Sequence, residues 1–179
     1  MQSLMVLKAA DFAAHMHREQ RRKGSEASPY INHPITVALL IAEVGGIDKP
    51  EVLAAALLHD TVEDTDATLD DIETHFGAEV RLLVDQVSDN KMLTKAERKQ
   101  QQIEHAASIS DDAVLIKLAD KIANISDIVK SPPAGWDMAR RLEYLDWSES
   151  VVNNCKDINV PLKNKFYEVL SASRAALAG

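Results

Sequence analysis

Cysteine is all but missing: Cys155 is the only one in the chain. An internal disulfide is thereby excluded, and so is a cysteine-rich zinc site. Aromatic residues make up only 4% of the sequence. A core must then be built mainly from Leu, Ile, Val and Ala, which suits packed helices. No apolar run approaches the ~20 residues that span a bilayer, which argues against a transmembrane helix. The opening stretch Met1-Gln2-Ser3-Leu4-Met5-Val6-Leu7-Lys8 lacks the basic region and long apolar segment of a signal peptide. A cytoplasmic location is the expectation. An excess of positive charge is also absent, since 20 Lys and Arg against 28 Asp and Glu leave a net charge of −8. That balance disfavours broad binding to nucleic acid or to an anionic membrane.

What is present is a chain of 179 residues, 46% of them hydrophobic. This is enough for one domain with a real core, and too apolar for disorder. The pattern is helical nearly throughout. Leu4, Leu7, Ala10, Ala14 and His17 are expected on one face of a first helix. Gly24 to Pro29 reads as a polar loop. Pro34 suits the first turn of a second helix that stops at Gly45-Gly46, and Pro50 opens a third that ends near His59. Thr68 with Asp71, and Thr94 with Glu97, have the spacing of capping boxes. Gly77 is expected to separate two short helices. Asp111-Asp112 begins the helix that carries Asp120. Its segment Ala113 to Leu118 could be read as a strand, but helical spacing continues to Val129. Pro132, Pro133 and Gly135 form a loop before a helix expected to run from Trp136 to Val152, and Pro161 opens the last helix. An all-α, single-domain helical bundle follows.

The chemistry concentrates at His59-Asp60-Thr61-Val62-Glu63-Asp64-Thr65. This run follows the apolar stretch Val52 to Leu58, which reads as a buried helix. An ionisable pair at the end of such a helix is costly to bury unless it is compensated. A metal ion is the usual compensation for neighbouring His and Asp. His33 and Asp120 are two further candidate ligands. Together, His33, His59, Asp60 and Asp120 form a mixed nitrogen and oxygen set suited to a divalent transition metal with open positions. Glu63 and Asp64, one turn further on, could steer a water or carry protons. Alternatively they are a solvated acidic loop, with Asp64 or Thr65 capping the next helix. Two basic clusters stand out in this acidic chain: Arg18, Arg21, Arg22 and Lys23, and Lys91, Lys95, Arg98 and Lys99. They could hold a small polyanion, or be ordinary solvated helix ends.

The split pattern of His33, His59-Asp60 and Asp120 resembles that of the HD superfamily of metal-dependent phosphohydrolases. Within it, the chain resembles the hydrolase domain of the RelA/SpoT family, and most of all the stand-alone small alarmone hydrolases. Residues 17–23, 29–34, 55–65 and 117–124 carry the likeness, with Pro133-Ala134-Gly135-Trp136, Arg140, Tyr144 and Trp147. It spans about residues 5 to 155. Ser88-Asp89-Asn90-Lys91 and Ile122-Ala123 depart slightly from the usual pattern, which bears on fine substrate preference.

The resemblance implies an HD-type hydrolase domain over residues 1–179, with 156–179 as a C-terminal helical extension. It implies manganese-dependent hydrolysis of guanosine 3′-diphosphate 5′-di- or triphosphate, (p)ppGpp, with release of pyrophosphate from the 3′ position. His33, His59, Asp60 and Asp120 would be the metal ligands, and Glu63 and Asp64 the catalytic acids. Arg22 and Lys23 would lie beside the guanine and the nucleotide pocket. Asn124 and Tyr144 would contact the ribose and its phosphates, and Lys95 and Arg140 would face exposed phosphate. A small-molecule nucleotide is the expected partner, with no nucleic acid and no membrane. The oligomeric state is left open, a homodimer being one option. The alternatives are removal of the 2′-phosphate of NADPH or another HD-type nucleotide phosphohydrolase activity, and, as a different class, a non-catalytic nucleotide-binding sensor.

Overall fold

The computed structural model describes residues 2–179, the side chain of Gln2 aside. Ten α-helices follow in order: α1 Gln2–Met16, α2 Asn32–Glu43, α3 Pro50–Leu58, α4 Thr61–Asp64, α5 Leu69–Phe76, α6 Ala78–Val87, α7 Lys95–His105, α8 Asp111–Lys130, α9 Met138–Asn154 and α10 Val160–Ala178. No strand occurs among the described residues, and 113–118 is helix.

Two helices form the centre. α3 buries nearly every residue from Pro50 to Leu58. It packs against α1, α2, α6 and α8. α8 buries both apolar faces of its middle, from Ala113 to Ile128, and packs against α2, α6, α9 and α10. Leu58, Ile116, Leu118 and Ile125 are among the fully buried side chains. Truncating one of them, such as Leu58→Ala, should cost ~2–5 kcal/mol. α10 adds Leu162, Phe166 and Leu170 to the same core.

Local chemistry sets the helix ends. Thr68 accepts from the Asp71 amide while the Asp71 carboxylate accepts from the Thr68 amide, and Thr94 and Glu97 do the same. Each such cap is worth ~1 kcal/mol. Gly77 separates α5 from α6 at φ +89°, a backbone that a side chain rarely tolerates.

Three expectations need correction. In α1, Leu4 and Leu7 are more than half exposed. The buried stripe is Ala9, Ala13 and His17. Small residues face α3, which lets the two helices approach closely, and the larger leucines turn outward. The helix expected from Trp136 begins at Met138, because the Asp137 side chain accepts from the Arg140 amide and caps it there. Neither Asp64 nor Thr65 caps the helix after the acidic run. Asp64 closes the short α4, and Thr68 caps α5.

Candidate active site

The chain turns sharply after α3. The His59 side chain donates through Nδ1 to the Ala56 carbonyl at 2.8 Å, and Thr61 Oγ1 donates to the Leu58 carbonyl at 2.7 Å. These bonds hold His59 and Asp60 at the mouth of a buried helix end. His33 arrives from the first turn of α2, and Asp120 from the middle of α8. His59 Nε2 lies 3.1 Å from Asp60 Oδ2 and 3.7 Å from Asp120 Oδ1. His33 Nε2 lies 3.1 Å from Asp120 Oδ1 and 3.7 Å from Asp60 Oδ2. His33, His59 and Asp60 each offer a ligand atom within 4.8 Å of the others.

The donor set fits a cation. Because Nδ1 of His59 is occupied as a donor, Nε2 is the atom left to ligate. That Nε2 is buried and finds no hydrogen-bond partner among the described residues. Two carboxylates and two imidazoles pointing at one volume are poorly compensated by one another alone. In the metal-free protein, protons do part of the work. Burial opposes a charge on His59, but Asp60 and Asp120 outweigh it and hold the imidazole well above its usual range. Burial likewise opposes ionisation of Asp60, but the His59 charge keeps its carboxylate below the usual range.

A second layer fixes these groups. Tyr30 donates to Asp60 Oδ2 at 2.6 Å. Burial, and then the Asp60 charge, raise the Tyr30 phenol far above its ordinary value, so it stays a donor. Asn124 donates to Asp120 Oδ1 at 2.6 Å, and Lys121 Nζ stands 3.5 Å from Asp120 Oδ2. The Arg22 guanidinium donates to Asn124 Oδ1 at 2.9 Å and to Asp127 Oδ2 at 2.7 Å. Asp127, Arg22, Asn124 and Asp120 thus form one chain. Arg22 also lies 5.5 Å above the Tyr30 ring.

All of this faces one cleft of ≈1290 Å³, larger than the ~300–1,000 Å³ typical of small-molecule sites. Every residue that the family likeness gives a site role lines it except His33, which contacts Asp120 and Asp60. Half of the chain's Lys and Arg line this cleft but only about a third of its Asp and Glu, so the net charge of −8 does not describe it. Lys23, Lys95, Lys99 and Arg140 gather at the rim. Lys95 titrates below its ordinary value, first through partial burial and then through Arg140, Lys99 and Lys23. Arg18 and Lys91, from the two basic clusters, do not line the cleft. Tyr144 sits between Trp136 and Trp147, with ring centroids 5.5 and 5.3 Å away.

Glu63 and Asp64 reach the same cleft from α4. Glu63 accepts the Asp89 backbone N–H at 3.1 Å and stands 3.6 Å from Arg98. Burial, and then the Asp89 charge, push its carboxyl up to about 7. Asp64 accepts from Gln20 Nε2 at 2.9 Å.

Sequence reasoning passed over Tyr30, Gln20, Asp89 and Gln102. Gln102 donates to both Asp89 carboxylate oxygens, at 2.9 and 2.8 Å, and accepts from Lys121 at 3.0 Å. Tyr30 and Gln20 stand inside stretches 29–34 and 17–23, which carried the family likeness. Asp89 stands inside 88–91, a stretch noted only for its slight departure from the family pattern, and Gln102 had no comparable signal.

A helical bundle that brings two His and two Asp to one basic-rimmed cleft is the architecture of an HD domain. The HD domain family profile matches residues 9–145, and the chain belongs to that family. It is 52% identical over 162 residues to the guanosine-3′,5′-bis(diphosphate) 3′-pyrophosphohydrolase MESH1 of Mus musculus, covering 90% of each chain. The same protein of Homo sapiens is 51% identical over 162 residues, again covering 90% of each. Among solved structures, a metazoan ortholog of SpoT described as hydrolysing ppGpp has a TM-score of 0.91 at 44% identity, over 94% of both chains. A Listeria monocytogenes protein has a TM-score of 0.66 at 28% identity, over 81% of this chain and 97% of the other.

Proposed function

We propose that this chain is a manganese-dependent phosphohydrolase that cleaves the 3′-diphosphate from (p)ppGpp, giving pyrophosphate and GDP or GTP. The observation that carries this reading is the convergence of His33, His59, Asp60 and Asp120, with a buried, unpartnered His59 Nε2, at the floor of a basic-rimmed cleft. The likeness to 3′-pyrophosphohydrolases over 90% of the chain supports the substrate. Residues 1–179 form one hydrolase unit, with 156–179 as its C-terminal helical extension; the burial of Leu162, Phe166 and Leu170 supports that assignment. The substrate is a free nucleotide, encountered in the cytoplasm. No helix among the described residues is long and apolar enough to cross a membrane.

His33, His59, Asp60 and Asp120 would hold the ion, which when bound would supply positive charge to a phosphate and lower the pKa of a water. Water adds to the phosphorus attached to ribose O3′, and the bond between that phosphorus and O3′ breaks. Glu63 has a carboxyl near neutrality, the range in which a side chain both accepts and returns protons. It takes the proton of the attacking water, and Asp64 orients that water from the neighbouring position. The proton needed by the departing O3′ comes back through the same pair of acids. Tyr30 and Asn124 hold the Asp60 and Asp120 carboxylates in the orientation in which they meet His33 and His59. Lys23, Lys95 and Arg140 meet the diphosphate arms at the rim. Arg22 and Tyr144 line the nucleoside side of the cleft.

The test is hydrolysis of ppGpp, pppGpp and NADPH in parallel by the purified full chain, with manganese and after chelation. Metal-dependent turnover of the guanosine substrates above that of NADPH is expected. Turnover of NADPH alone would replace the proposed substrate with the alternative one.

A further inference from the structure

Asp64 is exposed and stands at the last position of a four-residue helix. A single turn does little to fix the direction of its own side chain. The restraint comes from 44 residues away, where Gln20 Nε2 donates to Asp64 Oδ2 at 2.9 Å. A carboxylate only accepts, so the Gln20 NH₂ must face Asp64 and the Gln20 carbonyl oxygen must face the other way. That oxygen meets His17 Nδ1 at 2.6 Å, so Nδ1 is the donor. His17 is itself buried against a neighbour. It is 2% exposed, and its ring centroid lies 4.8 Å from that of Tyr30. The Gln20 backbone is pinned as well: its N–H donates to the His17 carbonyl at 2.9 Å, and its carbonyl accepts from Tyr30 N–H at 3.1 Å. The same Tyr30 donates through its hydroxyl to Asp60. One connected set therefore references both Asp64 and Asp60 to a single buried ring.

We infer that Gln20, with His17 behind it, is a positioning residue for Asp64. Neither touches the reacting atoms. Gln20 occupies Oδ2 and fixes the carboxylate plane, leaving Oδ1 for water or substrate. His17 keeps the Gln20 amide from flipping, which would set its carbonyl against the carboxylate. The inference rests on the proposed function, in which Asp64 orients the attacking water.

The experiment is a double-mutant cycle with steady-state kinetics on manganese-loaded full-length protein, using ppGpp. Gln20→Ala and the near-isosteric Gln20→Met should lower kcat by about 10-fold, at most ~10²-fold, the size of a misplacement of roughly 1 Å. KM and bound manganese should stay within about 2-fold of the parent. Gln20→Glu should fall further, since two carboxylates then oppose each other. His17→Phe keeps a ring against Tyr30 and removes the donor, and should give a smaller loss in kcat alone. In an Asp64→Asn background, Gln20→Ala should change kcat by less than about 2-fold. Unchanged kcat in Gln20→Ala, or losses that simply multiply in the double variant, would overturn the inference. A crystal structure of Gln20→Ala decides the tether independently of substrate. The Asp64 side chain should turn away or spread over rotamers while His33, His59 and Glu63 stay in place, and an unmoved Asp64 overturns the inference. If the parent protein itself fails to hydrolyse ppGpp, that counts against the proposed function, and the crystal structure still decides the tether.

Discussion

Replacing Glu63 with Gln tests the catalytic account at its most sensitive point. The substitution keeps size and leaves an oxygen for the Asp89 N–H, which Glu63 accepts at 3.1 Å. It removes the titrating proton and the charge facing Arg98. Positioned proton transfer is typically worth ~10²–10⁴ in rate, or about 3–5 kcal/mol at 1.36 kcal/mol per decade. The kcat of Glu63→Gln should fall by that factor, with KM and bound manganese unchanged. The variant should also behave differently with pH. Burial and the Asp89 charge raise the Glu63 carboxyl from 4.5 to about 7 in the metal-free protein. Such a shift disfavours the ionised form by ~3 kcal/mol at most, and the water that reaches the cleft side reduces this to roughly 1–2 kcal/mol. An acid with a raised folded value contributes stability that is complete below its unfolded value and is lost as pH rises through the folded one. Metal-free Glu63→Gln should therefore match the parent in stability near pH 4.5 and exceed it above pH 7, read as urea midpoints at the two pH values. A cation in the cluster lowers the Glu63 value, so the stability difference should shrink on adding manganese. A kcat within about 3-fold of the parent would show that Glu63 is a loop acid. A stability difference that does not change with pH would refute the electrostatic part of the reasoning.

Four further outcomes follow from the same geometry. Asp120→Ala should lose metal while keeping its helical circular dichroism, because one ligand leaves an otherwise intact bundle; full metal content by elemental analysis would contradict this. Metal affinity should rise as pH rises through the ordinary imidazole range and beyond it, since protons compete for the ligands. In the metal-free site, burial opposes the charged form of His59, but Asp60 and Asp120 outweigh it and leave its folded value raised. The stability His59 contributes without metal is then present below the unfolded imidazole value and fades as pH rises through the folded one. An affinity flat over that range would contradict the ligand set. Lys95→Ala and Arg140→Ala should raise KM for pppGpp more than for ppGpp, and less so at high salt. Arg22→Lys should raise KM more than Lys95→Arg does, because the planar Arg22 guanidinium lies over the Tyr30 ring while its Nη2 serves both Asn124 and Asp127, and a lysine ammonium lacks that stacking plane.

The parts of this site legible in the sequence are those encoded locally. His59-Asp60 announces itself because polar residues follow seven apolar ones, and the helix breaks are written in Pro, Gly and capping residues. The all-α architecture follows from the same periodicity. What the sequence withheld depends on which helices approach closely. Nothing local says that Ala9 and Ala13, rather than Leu4 and Leu7, face α3. Nothing local ties Gln20 to Asp64, or Asp89 to Glu63, across 44 and 26 residues. Arg22 illustrates the difference most plainly. From sequence it is a cation for a substrate; in the fold it is also an internal donor that holds Asn124, which holds Asp120.

The most direct test of the central claim is product analysis of ppGpp cleavage in ¹⁸O-labelled water, with manganese-loaded and chelated protein side by side. The account predicts unlabelled GDP and singly labelled pyrophosphate from the loaded protein, and none of either from the chelated one. Release of labelled orthophosphate, label in the GDP, or undiminished turnover after chelation would contradict it.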